Sequence, residues 1–323
     1  VQLAIGRDCY LIDPLAIEDL SALGELLAAP NVVKILHDAL QDLQILKRVT
    51  GAYPVNIFDT RSAYGFCSDS SILSLAALLE KIIGIQLPKT ETRTNWLQRP
   101  LSPEQLEYAC DDVKYMCEVR DLIIKQSKEN DTYGWLMDEM SHYDVPEIYD
   151  DVDPGEYFRK IKGTDRMSRE HLMILQDLAA WRERTARDIN WPRGHVIHNN
   201  TLLDLTWKRP TRVVDLKRIK KLHPKAIEKH GGEIVETIEA AMAKPEHLHP
   251  EKPDLRRNKE LNKKADDLIE AIEERVVTLN IAPALVGSKK EIRTFIYSKY
   301  SGEASEEPFF NGWRYEFIQD LLK

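Results

Sequence analysis

Short apolar runs open this chain, and helical stripes fill the rest of it. Residues 1–5 and 9–12 flank Gly6-Arg7-Asp8 and read as a β-hairpin. Residues 31–37 read as a short buried strand ending in His37. Residues 38–46 then read as a helix with Leu40, Leu43 and Leu46 as its apolar stripe. A second strand-to-helix junction is expected at Asn56-Ile57-Phe58-Asp59-Thr60, with Asp59 as N-cap. At Ser102-Pro103-Glu104-Gln105 an N-cap, a proline at the first helical position and a capping-box Gln start another helix. Residues 168–187 predict a longer helix, with Leu172, Leu175, Leu178, Ala179 and Trp181 inward and Arg182, Arg184 and Arg187 outward. Short helices follow over 199–207, 213–219 and 224–243. An amphipathic helix over 259–278 places Leu261, Ala265, Leu268, Ile269, Ile272 and Val276 inside. Residues 283–285, 289–297 and a turn of helix from Gly312-Trp313-Arg314 close the chain.

Two polar stretches break these stripes. Asp144, Glu147, Asp150, Asp151, Asp153 and Glu156, with Pro146, Pro154 and Gly155, read as an exposed acidic linker. Residues 245–258, rich in Pro, His and charge, read as a second linker.

At 323 residues the chain is long enough for two or three cores, and its 43% hydrophobic and 30% charged content is ordinary for globular proteins. Cys9, Cys67, Cys110 and Cys117 have neither CxxC nor zinc spacing, which fits reduced thiols in a cytoplasm. No membrane span is expected, because the apolar run at 75–85 is broken by Glu80-Lys81. The net charge of -8 argues against a uniformly basic nucleic-acid binder. Charge is unevenly spread, however, and Lys208, Arg209, Arg212, Lys217, Arg218, Lys220, Lys221, Lys225 and Lys229 form a basic segment. A solvated helical surface explains that segment as well as phosphate contact does.

Candidate chemistry begins on the helix opened by Ser102. Tyr108 and Asp112 are four residues apart and share one face. A carboxylate able to hold a metal beside a hydroxyl able to orient water is what metal-assisted phosphodiester hydrolysis requires. Alone, the pair reads as an amphipathic Tyr and a solvated Asp; the residues around it favour the chemistry. Asp42 adds a second carboxylate just beyond the carboxyl end of a strand, where open α/β sheets place their ligands. A polar, basic and aromatic run over 87–101 leads straight into the Tyr108 helix. No Ser or Cys nucleophile constellation and no phosphate-cradling Gly loop appears.

Together these residues resemble the ribonuclease D family of 3′-to-5′ exoribonucleases, the tyrosine variant of the DEDD group. His37 and Asp42 match its second motif and Phe58-Asp59-Thr60 its F-D-T. Lys89 through Leu101 match its K-[ST]-E-x-R-T-[DN]-W-x-x-R-P-L run, and Tyr108 through Val113 its Y-A-x-x-D-V. Asn95 stands where the family usually has Asp, at a position that is not a metal ligand. The family's D-T-E motif, with the first Asp and the Glu of the carboxylate set, is expected upstream of Val1, so the given chain is expected to lack two of the four metal-binding carboxylates. That motif's strand is central in the family fold, so without it the sheet is expected to split. Farther on, Leu178-Ala179-Ala180-Trp181-Arg182-Glu183, Pro192-Arg193-Gly194 and residues 216–231 look like an HRDC domain, and the last helices resemble its degenerate second copy.

The resemblance implies an α/β ribonuclease H-like exonuclease domain over 1–141 and an acidic linker over 142–165. An HRDC domain over 166–244, a linker over 245–258 and a second all-α HRDC-type domain over 259–323 follow. It also implies two Mg²⁺ or Mn²⁺ ions, held in part by Asp42 and Asp112, with Tyr108 orienting the attacking water. His37 is expected beside the metal site without ligating it, and Lys89, Arg93, Trp96 and Arg99 against the incoming RNA. The expected partner is RNA with a free 3′ end, tRNA precursors by family, acted on by a cytoplasmic monomer. Two alternatives stay open: a nucleic-acid-binding protein without the chemistry, and a DNA-directed 3′-to-5′ exonuclease. Phe309, Phe310 and Trp313 are expected in the core of the last domain, where a small module needs its large aromatics.

Overall fold

The computed structural model describes residues 1–323 except 71, 88–93, 165, 252–257, 302–309 and 323. Lys89, Arg93 and Phe309 therefore lie outside the described residues. The chain divides into two compact units, one formed by Val1–Asp150 with Leu255–Lys323 and the other by Asp151–Asp254.

The first unit opens with strands β1 (Gln2–Ile5) and β2 (Asp8–Leu11), which pair antiparallel with Ile5 opposite Asp8. Gly6 supplies the left-handed residue of the turn, at φ +62°. Helix α1 (Ser21–Ala28) precedes β3 (Lys34–Leu36), α2 (Ala39–Thr50), β4 (Ile57–Asp59) and α3 (Thr60–Tyr64). Strands β3 and β4 are parallel, with Leu36 opposite Asp59, so their carboxyl ends lie side by side. The four strands thus form two separate two-stranded sheets.

Two details differ from the sequence pattern. The strand before His37 is only Lys34–Leu36, and Val32 and Val33 are exposed. In α2 the inward residues are Ala39, Leu43 and Leu46, while Leu40 faces outward. Positions 39, 43 and 46 follow the helical repeat as well as 40, 43 and 46 do, and a periodic pattern cannot choose between them.

Helices α4 (Leu75–Ile83), α5 (Pro103–Asp111), α6 (Met116–Glu129) and α7 (Tyr133–Ser141) complete the amino-terminal part. The next nine residues are largely exposed but are docked, not a free linker. Tyr149 is buried, Gln44 Nε2 donates to the Ile148 carbonyl (2.8 Å), Lys47 pairs with Asp150 (2.8 Å), and the Asn56 amide donates to Asp144 (2.6 Å). Charged residues dominate this stretch, but its aromatic and aliphatic members dock it along α2.

The second unit contains α8 (Arg169–Asp188), α9 (Arg193–Val196), α10 (Asn199–Lys208) and α11 (Pro224–Met242). Phe158 and Ile161, expected in the linker, belong to its core with Leu175, Leu178 and Leu205. Arg182, expected outside, is 2% exposed. Its guanidinium donates to the Ile197 carbonyl (3.2 Å), Asn199 Oδ1 (2.7 Å) and Glu183 Oε1 (3.3 Å), which offsets the cost of burying the charge.

Helices α12 (Lys259–Leu279), α13 (Pro283–Val286), α14 (Lys289–Ser301) and α15 (Gly312–Ile318) return to the first unit. The six inward residues expected on α12 are all buried, but they do not close a separate core. They join Phe58, Phe66, Leu78, Ile123 and Leu136 in one cluster with Phe310, Trp313 and Phe317. The Ala282 amide donates to the Gly65 carbonyl (2.8 Å), and Arg314 and Trp313 Nε1 both reach Glu139 (2.7 Å each). The expected independent domain over 259–323 is therefore part of the nuclease unit. An amphipathic stripe reveals an apolar face but not which face covers it. No helix among the described residues is long and apolar enough to cross a membrane.

Candidate active site

Two groups of site residues take shape in the first unit. One is built on α5, which starts with the full capping box: Gln105 N–H donates to Ser102 Oγ (3.2 Å) and Ser102 N–H to Gln105 Oε1 (3.0 Å). The buried Gln105 amide also donates to Thr94 Oγ1 (3.1 Å), tying the preceding loop to the helix. One turn on, the Asp112 amide donates to the Tyr108 carbonyl (3.2 Å), so both side chains leave the same face. The Trp96 ring lies 6.0 Å from the Tyr108 ring at 48°. Asn95 Oδ1 accepts from the Leu97 amide (3.1 Å), a role an amide oxygen fills as well as a carboxylate, which accounts for Asn at that position.

Arg99 has a different surrounding from the one expected of a substrate contact. Its Nε and Nη2 grip Asp13 (2.6 and 2.7 Å), and Nη1 donates to the carbonyls of Trp96 and Gln98. The guanidinium fixes the loop that carries Trp96 to the segment after β2 and holds the Asp13 pKa down at about 2. Asp13 carried no motif signal; only the fold brings it to Arg99.

Asp112 is half-buried, and among the described residues no hydrogen bond or ion pair reaches its carboxylate. Burial first, and the neighbouring Asp111 second, push its pKa up to about 6. Lys114 pairs with Asp111 instead of with Asp112.

The second group lies at the carboxyl ends of β3 and β4. His37 Nε2 meets the Leu73 carbonyl (3.1 Å), which only accepts, so the proton of the neutral ring sits on Nε2. Nδ1 faces Thr60 Oγ1 (3.0 Å), whose hydroxyl also reaches the Leu36 carbonyl (3.1 Å). Burial lowers the His37 pKa. Both ring nitrogens are engaged by protein, which leaves none for a metal.

Asp59 is buried and accepts from the amides of Asp38 (2.9 Å), Ala39 (3.1 Å) and Arg61 (2.9 Å) and from the Tyr143 hydroxyl (2.6 Å). It caps α3 and also grips the first residues of α2. Asp38 occupies the left-handed region at φ 61° and pairs with Arg61. Such a conformation costs a non-glycine residue about 1–3 kcal/mol. Each hydrogen bond to a carboxylate contributes about 1.5–3 kcal/mol, so the Asp59 bonds are enough to hold it. Tyr143 lay in the stretch expected to be a linker and carried no sequence signal.

Asp42 projects from the exposed side of α2, in its first turn. Desolvation of its carboxyl group and then the Asp38 charge raise its pKa. Among the described residues no side chain bonds to it. Asp42 and Asp112 thus share one property: each is a carboxylate held above its ordinary pKa by desolvation and a like charge, with no cation paired to it among the described residues. Hard oxygen donors in that condition suit Mg²⁺ or Mn²⁺. No cluster of three or more ligating side chains occurs among the described residues.

A split α/β fold with a capped tyrosine–aspartate helix, followed by a small helical unit, defines a ribonuclease H-like 3′–5′ exonuclease with an HRDC domain. Residues 1–128 match the family model described as 3′-5′ exonuclease, and residues 171–238 match the HRDC domain model. The ribonuclease D of Desulfotalea psychrophila is 38% identical over all of this chain and 87% of its own length. That of Pseudomonas paraeruginosa is 34% identical over all of this chain and 85% of its own. The crystal structure of Escherichia coli RNase D, an exoribonuclease involved in structured RNA processing, superposes with a TM-score of 0.86. It is 27% identical, and the match covers 99% of this chain and 86% of that one. The chain belongs to the ribonuclease D family.

Proposed function

We propose that this protein shortens RNA from its 3′ end by divalent-metal hydrolysis of the terminal phosphodiester. Asp42 and Asp112 are the carboxylates that hold the ions, and Tyr108 is the hydroxyl that orients water. The observation that carries this reading is the placement of Asp112: half-buried, without a cationic partner among the described residues, and one turn from Tyr108, with burial and Asp111 pushing its pKa up to about 6. Two Mg²⁺ or Mn²⁺ ions would activate the water and stabilise the leaving 3′ oxygen.

The remaining roles belong to the chain itself. The Tyr108 phenol can accept or donate, so it can hold a water in line with a phosphate without itself losing a proton. Trp96, against Tyr108, offers a ring face to a terminal base, and Arg99 keeps that loop in place through Asp13. Lys89 and Arg93 stay in this reading as contacts to the incoming strand. His37 keeps the strand end in register through Thr60 and Leu73. The relatives' names favour RNA over DNA, and tRNA precursors are the proposed substrate. Four free thiols suit a reducing cytoplasm, and we assign the protein there as a monomer.

The test is a time course on a 5′-labelled, 3′-extended tRNA precursor with Mn²⁺, beside the equivalent DNA strand. The protein is this chain, and a version extended upstream by a strand carrying D-T-E. Stepwise shortening of the RNA by either protein, abolished by Asp112→Asn, supports the reading. Two inert proteins, shortening that survives Asp112→Asn, or preference for DNA would overturn it.

A further inference from the structure

The Asp of the F-D-T motif caps α3 and takes no part in the proposed chemistry. In the structure Asp59 is the most heavily bonded carboxylate near the site. It is 3% exposed, and its two oxygens take four donors from three parts of the chain: the start of α2, the start of α3, and Tyr143 beyond α7. The two amides it takes from α2 are those of the N-cap, Asp38, and of the first helical residue, Ala39. Asp42 follows Ala39 by three residues, on the same first turn. Among the described residues nothing bonds to the Asp42 side chain, so its position depends on where that turn begins. That beginning is a left-handed Asp38, which an unconstrained chain would leave.

Tyr143 secures the other side. Its hydroxyl gives Asp59 a 2.6 Å hydrogen bond, and its own carbonyl accepts from the buried Tyr149 hydroxyl at 2.6 Å. The Asp59 amide in turn lies 3.3 Å from Met140 Sδ on α7.

We propose that Asp59, oriented by Tyr143, is a positioning residue for Asp42 and thereby sets the affinity of the site for a divalent ion. The inference rests on the reading of Asp42 as a metal-holding carboxylate. Residues that orient a metal-binding side chain commonly change metal affinity 10–100-fold when altered.

Binding of Mn²⁺ alone, followed by its electron paramagnetic resonance signal, separates the possibilities. Asp42→Asn tests the underlying reading and Tyr143→Phe the new one, since the phenyl ring keeps the packing while one donor is lost. Asp59→Asn is the stronger perturbation, and Tyr143→Phe keeps the question answerable if that variant fails to fold. Tyr143→Phe is expected to weaken Mn²⁺ binding at least 10-fold and to speed amide exchange at Asp38 and Ala39. Saturating Mn²⁺ is expected to restore RNA shortening in Tyr143→Phe but not in Asp42→Asn. A purely structural Tyr143 would lower the melting temperature and leave Mn²⁺ affinity within 2-fold of the parent while Asp42→Asn loses it. That pattern overturns the inference alone. Unchanged Mn²⁺ affinity in Asp42→Asn overturns the metal reading, and the positioning role falls with it.

Discussion

Replacing Asp112 by Asn should stabilise the metal-free protein at neutral pH. Burial and the Asp111 charge raise the Asp112 pKa from the ordinary 3.8 to about 6, so the folded state holds this proton more tightly than the unfolded chain. The stability linked to that proton is fully present below about pH 4 and is lost as pH rises to about 6. A shift of about two units corresponds to ~3 kcal/mol. Asp112 is half-buried, and solvent screening reduces the loss to about 1–2 kcal/mol at pH 7.5. Asn carries no charge to desolvate and should recover that amount. For a unit of this size the gain is about 2–8 °C in melting temperature. Scanning calorimetry in a chelating buffer between pH 4 and pH 8 measures it. Parent and variant should converge near pH 4 and separate above pH 6. Added Mn²⁺ should then raise the melting temperature of the parent and close the gap. A variant no more stable than the parent at pH 7.5, or a difference independent of pH, would refute the argument that Asp112 is frustrated in the absence of a cation.

Three further outcomes follow from buried groups elsewhere in the chain. Arg314→Ala leaves the largely buried Glu139 carboxylate without its ion-pair partner and with Trp313 Nε1 as a donor, and should cost about 3 kcal/mol, read by urea unfolding through tryptophan fluorescence. Because α15 shares the nuclease core, the loss should appear in the whole first unit; a change confined to the last helices would contradict a common core. Leu43→Ala, at a fully buried site on α2, should cost about 2–5 kcal/mol in the same assay. His37 should appear in nitrogen NMR at pH 7 as the neutral Nε2–H tautomer, titrating below 6.5. Its contribution to stability is present above pH 6.5 and lost as pH falls through the lowered value, and a midpoint above 6.5 would contradict the buried ring.

The sequence by itself determined the pieces whose physics is local. The capping box of Ser102 and Gln105, the cap at Asp59, the hairpin around Gly6 and the six inward positions of α12 all depend on residues a few places apart. The pairing of Tyr108 with Asp112 is of the same kind, since one helical turn fixes it. Tertiary structure decided what faces meet what. Leu40 and Ala39 both satisfy the helical repeat, and only packing against Leu23, Leu27 and Ile57 turns Ala39 inward. Arg182 reads as a surface residue until Ile197 and Asn199 close over it. The acidic stretch after α7 reads as a linker, yet Tyr143 reaches back 84 residues to Asp59. The helices from Lys259 onward read as a separate module because their apolar stripe is complete, while the surface that buries it lies on Phe58, Phe66 and Leu136, more than a hundred residues earlier. Local sequence sets dihedral preferences and which side of an element is apolar. Which apolar sides join, and which buried carboxylate meets which distant donor, is fixed only when the whole chain competes for burial.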